Sequence, residues 1–296
     1  MKKIIYIFAV IGMLASFSSC VEDKLSDESI FDTTPPNRSE FDSWLLNNYI
    51  MPYNIEFKYR MEDIEASLQY YLTPAEKEKS IALAKIIKHV WLESYDEVGG
   101  KLFTKRFVPR VIHLIGSPAY ENNGTMVLGT AEGGLKVTLY MVNQIDVDNI
   151  NMDLLNYFYL KTMHHEFGHI LHQTKNYDRG YQRISEGLYV GGNWYLISEV
   201  DALNMGFITP YSMNIPDDDF VELLSVYLTD TPYAWEYIMD LPNDIISREG
   251  KAILNQKLTI LKKYMQDAWN IDLDKLRTVV QRRTAEVKNM NLKSLN

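Results

Sequence analysis

The stretch His164-His165-Glu166-Phe167-Gly168-His169-Ile170-Leu171-His172 holds four of the six histidines of a 296-residue chain. Within it, residues 165–169 fit the pattern His-Glu-x-x-His. That pattern has chemical meaning on a helix, where residues four apart stand one turn above each other on the same face. Two imidazoles placed this way reach a single divalent cation at about 2.0–2.1 Å. The glutamate, turned a further ~100° round the helix, faces a water on that ion instead of the ion itself. The flanking sequence supplies the helix: Met152–Gln173 is a long apolar segment, and Leu160, Met163, Phe167, Ile170 and Leu171 gather on the side away from the histidine pair.

His165 and His169 are therefore candidate zinc ligands and Glu166 the candidate general base. A catalytic zinc keeps three protein ligands and one open position, so one ligand is missing. The chain has a single cysteine, which removes any cysteine cluster and leaves His, Asp or Glu. Lys175 and His172 stand where a three-histidine extension of the motif wants His and Gly, so the third ligand comes from further along. His172, one turn past His169, reads as a lining residue or a partner of a ligand. The best downstream source is residues 211–222, YSMNIPDDDFVE, where Pro216 and the acids after it mark a helix start. Phe220, Leu223, Leu224, Tyr227 and Leu228 form its apolar face, and Asp218 and Glu222, four apart, share the other. One of these two can ligate zinc while the other accepts a hydrogen bond from a ligand imidazole; the spacing does not choose between them.

Around this centre the chain reads as α+β. Phe41–Tyr49 is a short amphipathic helix, Asn54–Arg60 a half-buried strand, and Ala75–Tyr95 a helix stopped before Gly99–Gly100. Pro109–Gly116 and Leu135–Val142 read as strands, with a turn at Tyr120–Gly124 and another at Gly133–Gly134. Leu135–Val142 is also a candidate edge strand for pairing with an extended peptide. From Ile197 the sequence is mostly helical, most clearly over Lys251–Gln266 and Leu273–Val287. His89 and His113 read as structural, and the twenty tyrosines and five tryptophans as core and interface residues.

Residues 1–20, MKKIIYIFAVIGMLASFSSC, have two lysines, an apolar run over Ile4–Phe17, small residues and then Cys20. This resembles a bacterial lipoprotein signal peptide, residues 1–19, cleaved before a lipidated Cys20. Its removal takes away two lysines and no acid, moving the net charge from −9 to −11. So acidic a chain is poorly suited to neutralising phosphates, and nucleic acid is not expected as a partner. Residues 20–38 are polar, acidic and hold Pro35–Pro36, and read as a flexible tether. The expected organisation is one domain over 39–296, with an α/β part to about residue 176 and a helical part after it. Membrane attachment is expected through the N-terminal lipid only.

HHEFGHILH together with Tyr211 and DDFVE resembles zinc peptidases whose second motif is Glu-Asp-Phe-Ala-Glu or Glu-Phe-Phe-Ala-Glu. That resemblance implies Asp218 as the third ligand, Glu222 as the support of a histidine ligand, and Tyr211 as the phenol that stabilises the oxyanion. Asp218 stands where those proteins carry Glu, one methylene longer. More broadly, the lipidation site, PYNIEFKYR, LKVTLYMVN, GFITPYSMN and DDFVELLSVYL resemble the substrate import-associated zinc metallohydrolase lipoproteins of Gram-negative bacteria, which are grouped with zinc-binding metallopeptidases. What the resemblance implies is a zincin-like fold: a small mixed sheet, the active-site helix, and a mostly helical C-terminal half. It further implies a peptidase with one Zn2+ per chain that uses Glu166 to assist attack by water. It also implies a peptide or protein substrate, outer-membrane uptake proteins as neighbours, and a place in the cell envelope on the outer membrane. A non-catalytic substrate-binding lipoprotein and an amidase acting on cell-wall peptides are the alternatives.

Overall fold

The computed structural model describes residues 37–62, 67, 69–122, 124–127, 129–132, 135–230 and 234–295. The expected signal peptide, Cys20 and nearly all of the expected tether lie outside these residues, as does the turn at Gly133–Gly134. Ser39–Asn296 forms one compact unit. No described helix is long and apolar enough to cross a membrane.

Helix α1 (Glu40–Leu45) starts at a capping box, in which Ser39 and Asp42 satisfy each other's backbone N–H groups. It runs on through a π-helical turn, Leu46–Ile50, to Asn54, whose left-handed conformation stops it. Strand β1 (Glu56–Lys58) follows. Helix α2 begins at Lys77–Ile86 and continues through a π-helical stretch, Ile87–Leu92, to Glu93–Gly99. Gly100 takes φ +85°, which turns the chain straight into a helix absent from the sequence reading, α3 (Lys101–Phe107). The glycine pair therefore redirects the chain between two helices and is not followed by a loop.

Strands β2 (Val111–Leu114) and β6 (Lys136–Leu139) enclose a short hairpin of β3 (Ala119–Tyr120) and β4 (Met126–Val127), then β5 (Gly129–Glu132). The main sheet has the order β1-β2-β6-β5, with the first three strands parallel and β5 antiparallel to β6. This corrects the expected edge: β6, the core of Leu135–Val142, pairs on both sides, and the edge strands are β1 and β5.

Helix α4 comprises Met152–Leu155, capped by Asn151, a π-helical turn at Asn156–Leu160, and Lys161–Thr174. Leu160, Met163, Phe167 and Leu171 are buried, and Phe167 meets the rings of Trp91 and Tyr95 of α2 edge-on at 5.6 and 4.8 Å. After α5 (Gly180–Ile184), a 3-10 turn at Gly191–Leu196, α6 (Glu199–Asn204) and a 3-10 turn at Pro210–Met213 comes α7 (Pro216–Thr229). Helix α7 crosses α4 at Gly168, where a Cβ would lie 2.9 Å from Val221 Cγ1. Helices α8 (Ala234–Asp240), α9 (Arg248–Trp269) and α10 (Leu273–Glu286) complete the chain. The architecture is α+β, with a small mixed sheet and a predominantly helical second half, and the α4–α7 crossing positions the site.

Candidate metal centre

Both imidazoles of the motif are held by their Nδ1 atoms. His165 Nδ1 lies 3.0 Å from Glu222 Oε2. Burial raises the carboxyl of Glu222, but the Lys161 charge and the His165 hydrogen bond outweigh it, and its pKa falls well below the usual carboxylate range. Glu222 is thus an ionised acceptor, and His165 Nδ1–H is the donor. His169 Nδ1 lies 2.9 Å from His172 Nε2. Burial lowers the pKa of His172, which keeps its ring neutral and able to accept that bond. Each motif histidine is therefore left with Nε2 as its free ligand atom.

Asp218 occupies the first turn of α7 and faces this pair, with Oδ1 3.3 Å from His169 Nε2. Its other oxygen accepts a bond from Asn214 Nδ2 at 2.6 Å. Ligand atoms of His165, His169 and Asp218 all lie within 4.8 Å of one another. Two imidazole nitrogens and one carboxylate oxygen converging in this way fit the donor set that catalytic zinc takes, three protein ligands with a position left over.

Glu222 cannot play Asp218's part in this arrangement. Besides His165, it accepts bonds from Lys161 Nζ at 2.6 Å and Thr209 Oγ1 at 2.9 Å, and it is only 1% exposed. Its oxygens are committed to orienting His165 and to neutralisation by Lys161. The two acids that the spacing left equivalent are separated by their neighbours.

Glu166 projects beside the triad, 9% exposed, and its carboxylate hydrogen-bonds no described residue. Burial pushes its carboxyl above the ordinary range, against the pull of His165 and His169. The Tyr211 ring stands 5.7 Å from that of His165, and its hydroxyl likewise bonds no described residue. Burial and the nearby Asp218 and Glu222 raise its pKa, so it stays a protonated donor. His164 points the other way, into the core, with Nδ1 2.9 Å from the Tyr95 hydroxyl. His89 lies far along the chain in an ion-pair cluster with Glu93 and Glu286.

Three contributors escaped the sequence reading. Asn214 sits one turn before Asp218, inside the quoted ligand segment, where the sequence reading gave it no role. Thr209 lies within GFITPYSMN, which the family resemblance quotes without giving the threonine a role. Lys161, a lone cation four residues before His165 on an apolar helix, was the one available signal, because a lysine on that face needs an acid.

Residues 34–274 match the model of a family described as "putative zinc-binding metallo-peptidase". A crystal structure described in the same words, from Bacteroides caccae, is similar with 47% sequence identity and a TM-score of 0.75. The similarity covers 88% of this chain and 99% of that one. No curated protein matches.

Proposed function

The chain belongs to this zinc-binding metallo-peptidase family, and from that premise we propose that it is a zinc-dependent hydrolase cleaving peptide bonds. The observation that carries the reading is the convergence of His165, His169 and Asp218 beside a Glu166 carboxylate that hydrogen-bonds no described residue. His165, His169 and Asp218 would hold one Zn2+, which would supply Lewis acidity toward water and a carbonyl oxygen.

The remaining work falls to side chains. Glu166 accepts a proton from the attacking water and delivers it to the leaving amine. Tyr211 donates a hydrogen bond to the carbonyl oxygen as negative charge builds on it, a contact that strengthens toward the transition state. Glu222 and His172 fix the rings of His165 and His169 in the tautomer that presents Nε2. The open edge of β5 offers backbone groups to an extended substrate, which such an edge binds as one more strand.

The N-terminal sequence supports a lipoprotein anchored through Cys20 in the outer membrane. Its substrates on this reading are peptides or proteins, with outer-membrane uptake proteins as neighbours. Glu166→Gln tests the chemistry. It is expected to retain zinc by elemental analysis while losing chelator-sensitive cleavage of a peptide mixture; cleavage at the parental rate overturns the scheme.

A further inference from the structure

A path of aromatic rings leads from the centre to the surface. His165 is 5.7 Å from Tyr211, Tyr211 is 5.1 Å from Trp194 and edge-on to it, and Trp194 is 6.2 Å from Tyr195. Beyond it, Tyr195 is 39% and Leu196 69% exposed. The segment bearing these residues is fixed in place. Val190 N–H donates to Met213 O at 2.8 Å and Gly191 N–H to Asn214 O at 3.2 Å, which clamps it to the loop of Tyr211. Beneath it, Phe207, Met213 and Ala202 make a small core of their own, against which Tyr189, Val190 and Ile197 pack.

Nothing described covers the outer side. A Cβ at Gly192 would meet no atom within 4 Å, and Ile215, next in sequence to Asn214, is 46% exposed. Of the fourteen large apolar residues exposed among the described residues, five fall within 188–215. A solvent-facing apolar patch held rigidly beside a reactive centre marks a place where a ligand completes the burial.

We propose that Trp194, Tyr195 and Leu196 form a subsite for a bulky apolar side chain of the substrate, aromatic or branched aliphatic. The ring steps from His165 to Trp194 span at most about 11 Å and the step to Tyr195 adds 6.2 Å, the reach of about three to five extended residues, so that side chain lies within about five positions of the scissile bond. The exposed aliphatic Leu196 that follows the rings in sequence favours an apolar residue over a sugar, which needs polar partners around its hydroxyls. The proposal rests on the zinc-peptidase reading and names its substrate class.

The test compares a series of peptides differing only at one position near the cleaved bond, Phe or Leu against Ser and Glu. Cleavage is followed by mass spectrometry, and binding to Glu166→Gln protein by titration. The wild type is expected to prefer Phe or Leu by about 10-fold or more in kcat/KM. Trp194→Ala should abolish that preference, read as the ratio of kcat/KM between the Phe and Ser peptides. Leu196→Ser, at an exposed position with little fold to lose, should weaken the same preference several-fold. Chelator-sensitive cleavage with no apolar preference, or a preference that survives both substitutions, overturns the subsite and leaves the hydrolase standing. Absence of any cleavage sinks the hydrolase reading, and the binding series then decides the subsite, which falls if Phe and Ser peptides bind alike.

Discussion

Lys257 and Asp219 form an ion pair that solvent does not reach: Nζ lies 2.7 Å from Oδ2, and the two side chains are 0% and 1% exposed. The ammonium also donates to Gly206 O at 2.8 Å and sits 3.9 Å over the Phe207 ring, while the carboxylate accepts a bond from the Tyr189 hydroxyl at 3.0 Å. Burial pushes Asp219 up to about 6 and lowers Lys257, so the pair is held by its geometry against the cost of desolvation. Because Asp219 adjoins Asp218, the contact pins the first turn of α7 to α9.

Breaking that pair from one side should be expensive. Lys257→Met leaves a buried carboxylate without its cation, and a loss of about 3–5 kcal/mol in unfolding free energy is expected. Adding Asp219→Asn removes the uncompensated charge and should recover part of the loss. Urea unfolding of the two variants measures this; a single variant as stable as the parent shows that the pair does not hold α7.

The acids of α7 differ in what they touch, and their variants should differ in kind. Asp218→Ala removes the proposed third ligand and should strip zinc from the purified protein. Glu222→Gln leaves all three ligands and should weaken zinc by about 10–100-fold, as measured by competition with a chelator. A Glu222→Gln protein without metal beside an Asp218→Ala protein that keeps it would exchange the two roles.

The sequence was readable where one element carries both the chemistry and its context. His165, Glu166 and His169 share one helix, and the apolar residues that bury that helix surround them in the same 22-residue segment. Spacing alone did not separate Asp218 from Glu222, which only the family resemblance told apart, since the physical distinction lies in Asn214 on one side and in Lys161 and Thr209 on the other, contacts outside the motif. The sheet edge was missed for another reason. Residues 129–132, GTAE, lack the alternation of a half-buried strand, so the apolar run of β6 appeared to end the sheet. Helix α3 was lost to Gly100, which reads as a stop in sequence and acts as a hinge in the fold.

Gly168, the small residue inside the motif, should resist replacement even by the best helix former. Ala gains about 1 kcal/mol of helix propensity over Gly. Here, however, its Cβ would stand 2.9 and 3.0 Å from Val221 and 3.1 Å from Leu224, on the helix that carries Asp218. Overpacking of this kind costs about 1–3 kcal/mol, so Gly168→Ala should be destabilised. The helices should also separate, weakening zinc. Val221→Ala added to it removes the Cγ1 contact and should recover part of both losses, since the Cβ at 3.0 Å remains. A Gly168→Ala protein with a raised Tm and unchanged zinc affinity refutes the close approach.

Acid sensitivity should come in part from a cluster remote from the metal. Glu93 of α2 takes Arg283 Nη1 of α10 at 2.8 Å, Lys88 Nζ at 2.8 Å and His89 Nδ1 at 3.3 Å. Burial raises its carboxyl, but the bonds from His89 and Lys88 and the charges of Lys88 and Arg283 prevail, bringing it from 4.5 down to about 2. A carboxyl depressed in the folded state contributes stability that is fully present above its unfolded pKa and is lost as protons bind to the native form. Stability should therefore be flat above about pH 5 from this source and decline between 4.5 and about 2. Arg283→Gln removes one of the charges that depress Glu93, so the decline should shrink and the variant should be the less stable protein at pH 7. Urea unfolding of both proteins across this range, at constant ionic strength, gives the two slopes; equal slopes show that Glu93 and Arg283 are not coupled.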